Sequence, residues 1–258
     1  MTRIIAISNQ KGGVGKTTSS LNIASALAIE GKKVLLLDLD PQSNITKSFG
    51  IIEPEKNIYG VLLKEYPIKE TVFKVRDNLL LVPCSKNFAA FERNNSGDIE
   101  SFYILKEQLD ELTAKTHIDF IVIDCPPSLG IISTNAYVAA DEIYTPMEAQ
   151  EFSIDGLEEV IKTIIKVKKR LNERIELKGV FFTRFHGRKL ISRDVQEYLQ
   201  EHFPNLLLNT SIRECVRLKE SPSARQDIFA FAPESNGAND YRSLALEILT
   251  KVPRPQTT

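Results

Sequence analysis

Short apolar runs alternate along the chain with longer stretches in which apolar residues recur every three or four positions. The runs predict strands at Ile4–Ser8, Val34–Leu37, Leu79–Pro83, Phe120–Ile123, Glu142–Thr145 and Lys178–Thr183. The longer stretches predict helices at Thr17–Glu30, Ser101–Lys115, Ile154–Asn172, Ile191–His202 and Asp240–Val252. Because continuous apolar runs are typical of strands buried on both faces, the alternation predicts an α/β fold: a mostly parallel, twisted sheet flanked by helices on both faces.

The length and composition fit one globular domain. The chain has 258 residues, of which 42% are hydrophobic and 26% are charged. We predict a single domain over residues 1–252 and a disordered tail over Pro253–Thr258. The formal net charge is −1, so any binding to nucleic acid must come from basic residues gathered on one face.

The cysteines and the apolar runs limit the cellular setting. Cys84, Cys125 and Cys215 are far apart in the sequence, which argues against a disulfide framework or a metal site. Every apolar run is far shorter than the ~20 residues of a membrane span. A strand-like run begins where a signal peptide would lie. We therefore expect a reduced, cytoplasmic protein without a membrane segment.

A glycine-rich loop joins the first predicted strand to the first predicted helix. It comprises Lys11, Gly12, Gly13, Val14, Gly15, Lys16, Thr17 and Thr18. In this setting, backbone N–H groups converge on phosphate oxygens at the helix N-terminus. Lys16 is expected to reach the β- and γ-phosphates, and Thr17 to bind Mg²⁺. The usual first glycine of such loops is replaced by Gln10, and a second lysine, Lys11, follows it.

Carboxylates follow two of the predicted strands. Asp38 and Asp40 come after the second strand, and Asp124 directly follows Phe120–Ile123. The carboxyl ends of parallel strands form the ligand-binding edge of such sheets. Asp124 is therefore expected to support Mg²⁺, and an acid after the second strand to orient water or hold the water shell of the metal. Asp38 and Asp40 are also suited to cap the helix that follows them.

These segments resemble the ParA/MinD ATPases, whose phosphate loop is a deviant Walker A motif. The loop from Lys11 to Thr18 carries the first match, and Asp38-Leu39-Asp40-Pro41-Gln42 resembles the ParA/Soj branch in particular. Asp124-Cys125-Pro126-Pro127-Ser128 is similar to a third family motif. The resemblance continues through residues 151–156 and 216–223, so that it covers nearly the whole chain.

The resemblance implies a slow, Mg²⁺-dependent ATPase that dimerises around ATP. In this family the extra lysine, here Lys11, reaches into the nucleotide site of the partner subunit, so two monomers enclose two ATP molecules. The implied catalytic residues are Lys11, Lys16 and Asp40. The implied nucleotide-binding residues are those from Lys11 to Thr18, together with Arg213. Thr17 is implied to bind Mg²⁺ directly, and Asp40 and Asp124 through water.

The resemblance also implies a role in plasmid or chromosome partitioning. The ATP-bound homodimer is expected to bind double-stranded DNA non-specifically and to associate with the nucleoid. A ParB-like centromere-binding partner is expected to stimulate hydrolysis and release the DNA. The matched motif assigns the DNA contact to Arg217, and nearby candidates are Arg184, Arg188, Lys189 and Lys219. Each nearby residue alone is also consistent with a solvated surface charge.

Two segments depart from the family pattern near the expected adenine pocket. Relatives often have Thr-x-Tyr/Phe-Asp, where this chain has Thr183-Arg184-Phe185-His186. Relatives often have Ile-Pro-Arg-Asn, where this chain has Ile212-Arg213-Glu214-Cys215. We therefore expect phosphate binding to follow the family more closely than contacts to the base.

Three alternatives stay open at this point. A MinD-like ATPase that cycles on a membrane requires a C-terminal amphipathic helix, which Pro253 and Pro255 oppose. An iron–sulfur carrier requires cysteines that bridge the dimer, and the cysteine spacing opposes it. A ParA-like ATPase that positions a protein cargo would have the same motifs, because the partner selects the cargo.

Overall fold

The computed structural model describes residues 1–86, 99–150 and 153–251. These residues form one seven-stranded sheet in the order β3-β4-β2-β5-β1-β6-β7. The strands are β1 Arg3–Ile7, β2 Val34–Asp38, β3 Phe73–Arg76, β4 Leu79–Val82, β5 Phe120–Asp124, β6 Glu142–Glu148 and β7 Glu176–Thr183. All neighbouring strands are parallel except β3 and β4, which are antiparallel.

The sheet confirms the predicted fold class and all six predicted strands. The additional strand, β3, lies at the edge of the sheet and is exposed or half-buried at every position. Its sequence, Phe-Lys-Val-Arg, alternates apolar and basic residues because only one face has a partner layer. A search for continuous apolar runs therefore missed it.

The helices of the described residues surround this sheet. They are α1 Lys16–Ile29, α2 Asn44–Ser48, α3 Ile58–Leu62, α4 Ile104–Lys115, α5 Ile131–Ala139, α6 Ser153–Arg170, α7 Leu190–His202, α8 Val216–Glu220, α9 Ile228–Phe231 and α10 Asn236–Thr250. The predicted helices correspond to α1, α4, α6, α7 and α10. The sequence analysis missed α5, which is buried nearly all round and so has no polar face to show a helical period.

Two predicted helix starts differ from the structure by three residues or more. The fourth helix begins at Ile104, because Glu100–Phe102 forms a 3₁₀ turn before it. The last helix begins at Asn236, four residues before the prediction, because the Ser235 side chain accepts a hydrogen bond from Ala238 N. The predicted last residue of that helix, Val252, and the predicted disordered tail over Pro253–Thr258 lie outside the described residues.

Alternate residues of the strands pack into two layers. In β2, Leu35 and Leu37 point to the layer that contains α4, α5 and α6. Leu36 points to the opposite layer, which contains α1 and α10. Helices on both faces therefore account for the continuous apolar runs.

The strand register brings the candidate acids to one edge. Asp124 pairs with Ile7 at the end of β1 and with Asp38 at the end of β2. The glycine-rich loop leaves β1 at this same edge. Elsewhere along the chain, none of the described helices is long and apolar enough to cross a membrane.

Candidate nucleotide-binding site

The loop from β1 to α1 has the backbone of an anion-binding turn. Gly13 and Gly15 have φ values of +78° and +88°, a region that side chains rarely adopt. A β-carbon built at Gly12 or Gly13 would meet no atom within 4 Å. The outer side of the loop is therefore open, and α1 begins directly after Gly15.

The ends of β6 and β7 hold this loop in place. Asn9 is buried and donates to Pro146 O at 2.8 Å, while its Oδ1 accepts from Lys11 N at 2.9 Å. The Thr183 hydroxyl donates to Val14 O at 2.8 Å. The sequence analysis assigned no role to Asn9 or to the Thr183 side chain, since each is identified by a contact with a distant strand.

The two lysines of the loop occupy different environments. Lys16 is only 7% exposed, and its Nζ donates to Lys11 O at 3.0 Å. Burial lowers the pKa of Lys16, and the negative charge of Asp124 opposes this shift. Lys11 is exposed. The fold therefore holds one ammonium inside the loop and leaves the other at its surface.

Asp124 is a buried acid of which one carboxylate oxygen forms no hydrogen bond with the described residues. Its Oδ1 accepts from Ser20 Oγ at 2.9 Å, whereas its Oδ2 is buried and has no hydrogen-bond partner among the described residues. Burial, followed by the negative charge of Asp38, raises the pKa of Asp124 well above its usual range, and the Ser20 and Thr17 hydroxyls oppose this. A buried carboxylate oxygen near the loop threonine fits a hydrated Mg²⁺, which prefers oxygen ligands.

Asp38 and Asp40 have separate environments. Asp38 is fully buried, and its Oδ2 accepts from both the backbone N and the hydroxyl of Thr46. Asp40 is half-exposed, and its Oδ1 accepts from Gln42 N at 2.9 Å. Asp38 therefore anchors α2, as the capping interpretation expects, while Asp40 keeps a second oxygen that can accept from water.

Two supporting residues of the site were missed from sequence. Ser20 holds Asp124, and Thr46 holds Asp38. A signal for Ser20 was present, because α1 carries the small polar residues Ser19, Ser20, Asn22 and Ser25 on a helix that is almost entirely buried.

The candidate base contact, Arg213, is engaged by a carboxylate. Its Nη2 lies 2.6 Å from Asp240 Oδ1, and its Nε lies 3.0 Å from Asp240 Oδ2. These two hydrogen bonds connect the segment before α8 to helix α10. The guanidinium stays half-exposed, so its role toward a nucleotide remains a prediction.

The candidate DNA contacts lie in two adjoining segments. Phe185 N donates to Ile212 O at 2.9 Å, which places the loop after β7 beside the segment that leads into α8. Three of the candidate cations are in ion pairs: Arg184 with Glu148, Arg217 with Glu220, and Lys219 with Glu214. Arg188 and Lys189 are exposed, and neither forms an ion pair within the part of the chain that the structure describes.

A glycine loop between a central parallel strand and a helix, with a buried lysine and a buried acid behind it, defines a phosphate-loop nucleotide-binding protein. A family model described as an AAA domain, AAA_31, matches residues 2–177. The chain is 36% identical over 251 residues to the sporulation initiation inhibitor protein Soj of Bacillus subtilis, covering 96% of this chain and 98% of Soj. It is 33% identical over 252 residues to the chromosome partitioning protein ParA of Caulobacter vibrioides, covering 96% and 94%. The chain therefore belongs to the AAA_31 family and, within it, to the ParA/Soj partition ATPases, as the motifs predicted.

Solved structures share the fold over almost the full length. One is a putative plasmid partition protein of Borrelia burgdorferi bound to AMPPNP, with a TM-score of 0.83, 28% identity and coverage of 98% of this chain and 100% of that one. Another is described as cobyrinic acid a,c-diamide synthase of Mycobacterium smegmatis with bound ADP and magnesium, with a TM-score of 0.83, 30% identity and coverage of 96% and 94%. Both proteins hold an adenine nucleotide or its analogue.

Proposed function

We propose that this chain is an ATP-dependent switch for plasmid or chromosome partitioning. ATP drives its dimerisation, the dimer binds DNA without sequence preference at the nucleoid, and a ParB-like partner stimulates slow hydrolysis that releases it. The observation that carries the proposal is that a buried Lys16 lies at one sheet edge beside the open glycine loop, together with an Asp124 Oδ2 that has no hydrogen-bond partner among the residues described. The match to Soj and ParA over nearly the whole chain supports the partitioning role.

We assign separate residues of the chain to phosphate binding, metal binding and the positioning of water. When bound, Mg²⁺ neutralises charge on the β- and γ-phosphates. The loop amides and Lys16 hold the phosphates, and the Thr17 hydroxyl and Asp124 would hold the metal. The half-exposed carboxylate of Asp40 orients the attacking water, while Asp38 keeps the loop of Asp40 in position.

The exposure of Lys11 supports the dimer. The Lys16 ammonium donates a hydrogen bond to Lys11 O within its own loop, so we expect it to bind the phosphates held by its own subunit. Lys11 is exposed and is available to a phosphate held by a second copy. Binding of ATP between two such loops would reduce the repulsion among their lysines. Formation of the dimer therefore depends on which nucleotide is bound.

The DNA contact rests on the two adjoining basic segments. The hydrogen bond from Phe185 N to Ile212 O brings the loop after β7 beside the segment that leads into α8, although the two are separated in sequence. Contacts between such side chains and phosphates are independent of sequence and weaken steeply with salt. Arg217 remains the first candidate because it lies in the matched motif.

Two of the alternatives find no support in the described residues. A MinD-like membrane helix would need a free apolar face, yet the last described helix, α10, packs Tyr241, Leu244 and Ile248 into the core beside α1. For an iron–sulfur carrier, no cluster of potential metal ligands was found in the described ranges. The activity named for the mycobacterial synthase differs from partitioning, and we take only its nucleotide and magnesium as support.

The first experiment is sedimentation of the purified protein with ADP, with ATP, and with ATP plus random-sequence duplex DNA. We expect a monomer with ADP and a DNA-binding dimer with ATP. Asp40→Ala should keep the dimer and its DNA bound, and Lys11→Ala should stay monomeric. Lys33→Ala is the matched control, because Lys33 is exposed at the opposite end of β2.

Each part of the proposal can fail separately. Equal dimerisation with ADP and ATP, or an ATP-dependent dimer of Lys11→Ala, would refute the nucleotide sandwich. If the ATP-bound dimer does not bind DNA at low salt, the proposed DNA-binding surface is refuted, whereas the proposed ATPase activity is not.

A further inference from the structure

Glu214 lies between the two basic segments of the candidate DNA surface and contacts both. Its Oε2 lies 2.7 Å from His186 Nε2 in the loop after β7. Its Oε1 lies 3.0 Å from Lys219 Nζ in α8. One carboxylate therefore joins the loop to the helix.

The carboxylate is ionised at every pH at which the protein would be assayed. Hydrogen bonds from Lys219 and His186 lower the pKa of Glu214 to about 2. The side chain is 39% exposed, so its charge is in contact with solvent and with anything that approaches this face. A permanent negative charge thus lies in the middle of a surface proposed to meet phosphates.

Glu214 differs from the other acids of this surface. Glu220 pairs with Arg217 within a single helix, and Glu148 pairs with Arg184 from the end of β6. Within the described residues of this surface, Glu214 is the acid that bridges the loop and α8. Its charge neutralises Lys219 locally, and Arg188 and Lys189 keep their full charge.

The two departures from the family pattern meet in this contact. The pattern has an acid where this chain has His186, and an arginine where this chain has Glu214. In this chain the basic residue, His186, lies in the loop and the acid, Glu214, lies in the segment that leads into α8. The negative charge of this pair therefore lies in the segment that leads into α8, beside Lys219.

We infer that Glu214 is an electrostatic brake on DNA binding: it masks Lys219 and repels phosphate at the centre of the basic surface. The inference rests on the proposed DNA-binding function and adds a regulation of that same surface. Each phosphate contact steepens the slope of log affinity against log salt by about 0.9. Removal of the charge that neutralises Lys219 should therefore steepen this slope by about one unit and raise the affinity for DNA at low salt roughly fivefold to tenfold.

The substitution Glu214→Gln removes the negative charge of the side chain while it keeps the shape of the side chain. The glutamine amide has the same shape, so its oxygen can still accept from Lys219 and its nitrogen can still bond His186, while the negative charge is gone. Glu201→Gln is the matched control, because Glu201 is exposed near the far end of the 13-residue helix α7. A double variant, Glu214→Gln with Lys219→Gln, tests whether the gain passes through Lys219.

The experiment is fluorescence anisotropy of a labelled random duplex, titrated with each variant at saturating AMPPNP over a series of salt concentrations. Affinity for AMPPNP is measured in parallel. We expect Glu214→Gln to bind DNA more tightly with a steeper salt slope, Glu201→Gln to match the wild type, and the double variant to lose the gain.

The outcomes distinguish this inference from the proposed function. If the wild type binds DNA and Glu214→Gln binds equally or more weakly, the brake is refuted and the DNA surface stands. If only Glu214→Gln binds, the brake is supported. If neither protein binds, both proposals fail. A gain explained by tighter AMPPNP binding would place Glu214 at the base pocket and overturn the brake.

Discussion

Asp38 and Thr46 are joined by two hydrogen bonds to one oxygen: Asp38 Oδ2 accepts from Thr46 N at 2.9 Å and from Thr46 Oγ1 at 2.7 Å. The same hydroxyl accepts from Cys84 N at 2.9 Å. Thr46 thus links the end of β2 to the segment after β4. The loop between Asp38 and Thr46 carries Asp40, so this contact sets the position of the acid proposed to orient water.

Thr46→Val should impair catalysis and stability together. The substitution leaves Cys84 N–H without its acceptor and removes one donor from buried Asp38, which we expect to lower the free energy of unfolding by about 1–3 kcal/mol. Because the Asp40 loop loses its anchor, kcat for ATP should fall more than KM changes. Urea unfolding and steady-state hydrolysis measure these effects.

Thr46→Ser is the control for that experiment, since it keeps the hydroxyl. It should retain a kcat close to that of the wild type. If Thr46→Val is destabilised but hydrolyses ATP at the wild-type rate, then Thr46 has only a structural role.

The buried carboxylate of Asp38 should make stability depend on pH. Burial raises the pKa of Asp38 from 3.8 to about 6. Between about pH 4 and pH 6 the folded state therefore holds a proton that the unfolded state has released, and the free energy of unfolding falls as the pH rises. The full loss for this shift is about 3 kcal/mol.

Asp38→Asn should remove that dependence. Denaturant unfolding of both proteins without magnesium or nucleotide, from pH 4 to pH 7, measures it. The wild type should lose stability relative to the variant across the window. Asp38 also raises the pKa of Asp124, so part of that contribution disappears in the variant in the same direction. A constant difference between the two proteins would contradict the prediction.

Asp124→Asn should remove the benefit of magnesium for ATP binding. The buried Oδ2 lacks a partner in the described structure, and a neutral amide at this position would hold a hydrated cation poorly. ATP titrations with and without Mg²⁺ should show a gain in affinity for the wild type and at least a tenfold smaller gain for the variant, or about 1.4 kcal/mol.

Ser20→Ala gives a graded comparison, because it removes only the hydroxyl that holds Asp124 Oδ1. Its loss of magnesium dependence should be smaller. An Asp124→Asn protein that responds to Mg²⁺ like the wild type would exclude Asp124 from the metal site.

The ion pair of Arg76 and Asp227 should matter for stability. Asp227 is fully buried; its Oδ1 caps α9 by accepting from Phe229 N and Ala230 N, and its Oδ2 lies 2.6 Å from Arg76 Nη1. Arg76→Met leaves this buried carboxylate without its ionic partner and should lower the free energy of unfolding by about 2–4 kcal/mol.

Arg242→Met is the matched control in urea unfolding. Arg242 pairs with Glu30 at 2.8 Å, but 59% of its side chain is exposed, so its loss should cost about 1 kcal/mol or less. Equal effects of the two substitutions would show that the burial of Asp227 adds nothing to the pair.

Local pattern was enough to predict the central strands and the phosphate loop. Val34–Leu37 and Phe120–Ile123 are continuous apolar runs, and the glycines before Lys16 stand between a strand and a helix. The strand β3 and the helix α5 were missed for opposite reasons. The first is too exposed to form a continuous apolar run, and the second is too buried to show a helical period.

The sequence by itself determined six of the strands, five of the helices, the family motifs and the edge of the sheet where the acids lie, because these follow from the periodicity of the backbone and the spacing of neighbouring residues. The tertiary structure alone decided which side chains meet. Ser20 reaches Asp124, Thr46 reaches Cys84, and Glu214 reaches His186. These partners are far apart along the chain, and only the order of the strands brings them together. Burial in that assembly then lowers the pKa of Lys16 and raises the pKa values of Asp38 and Asp124, which composition and spacing do not determine.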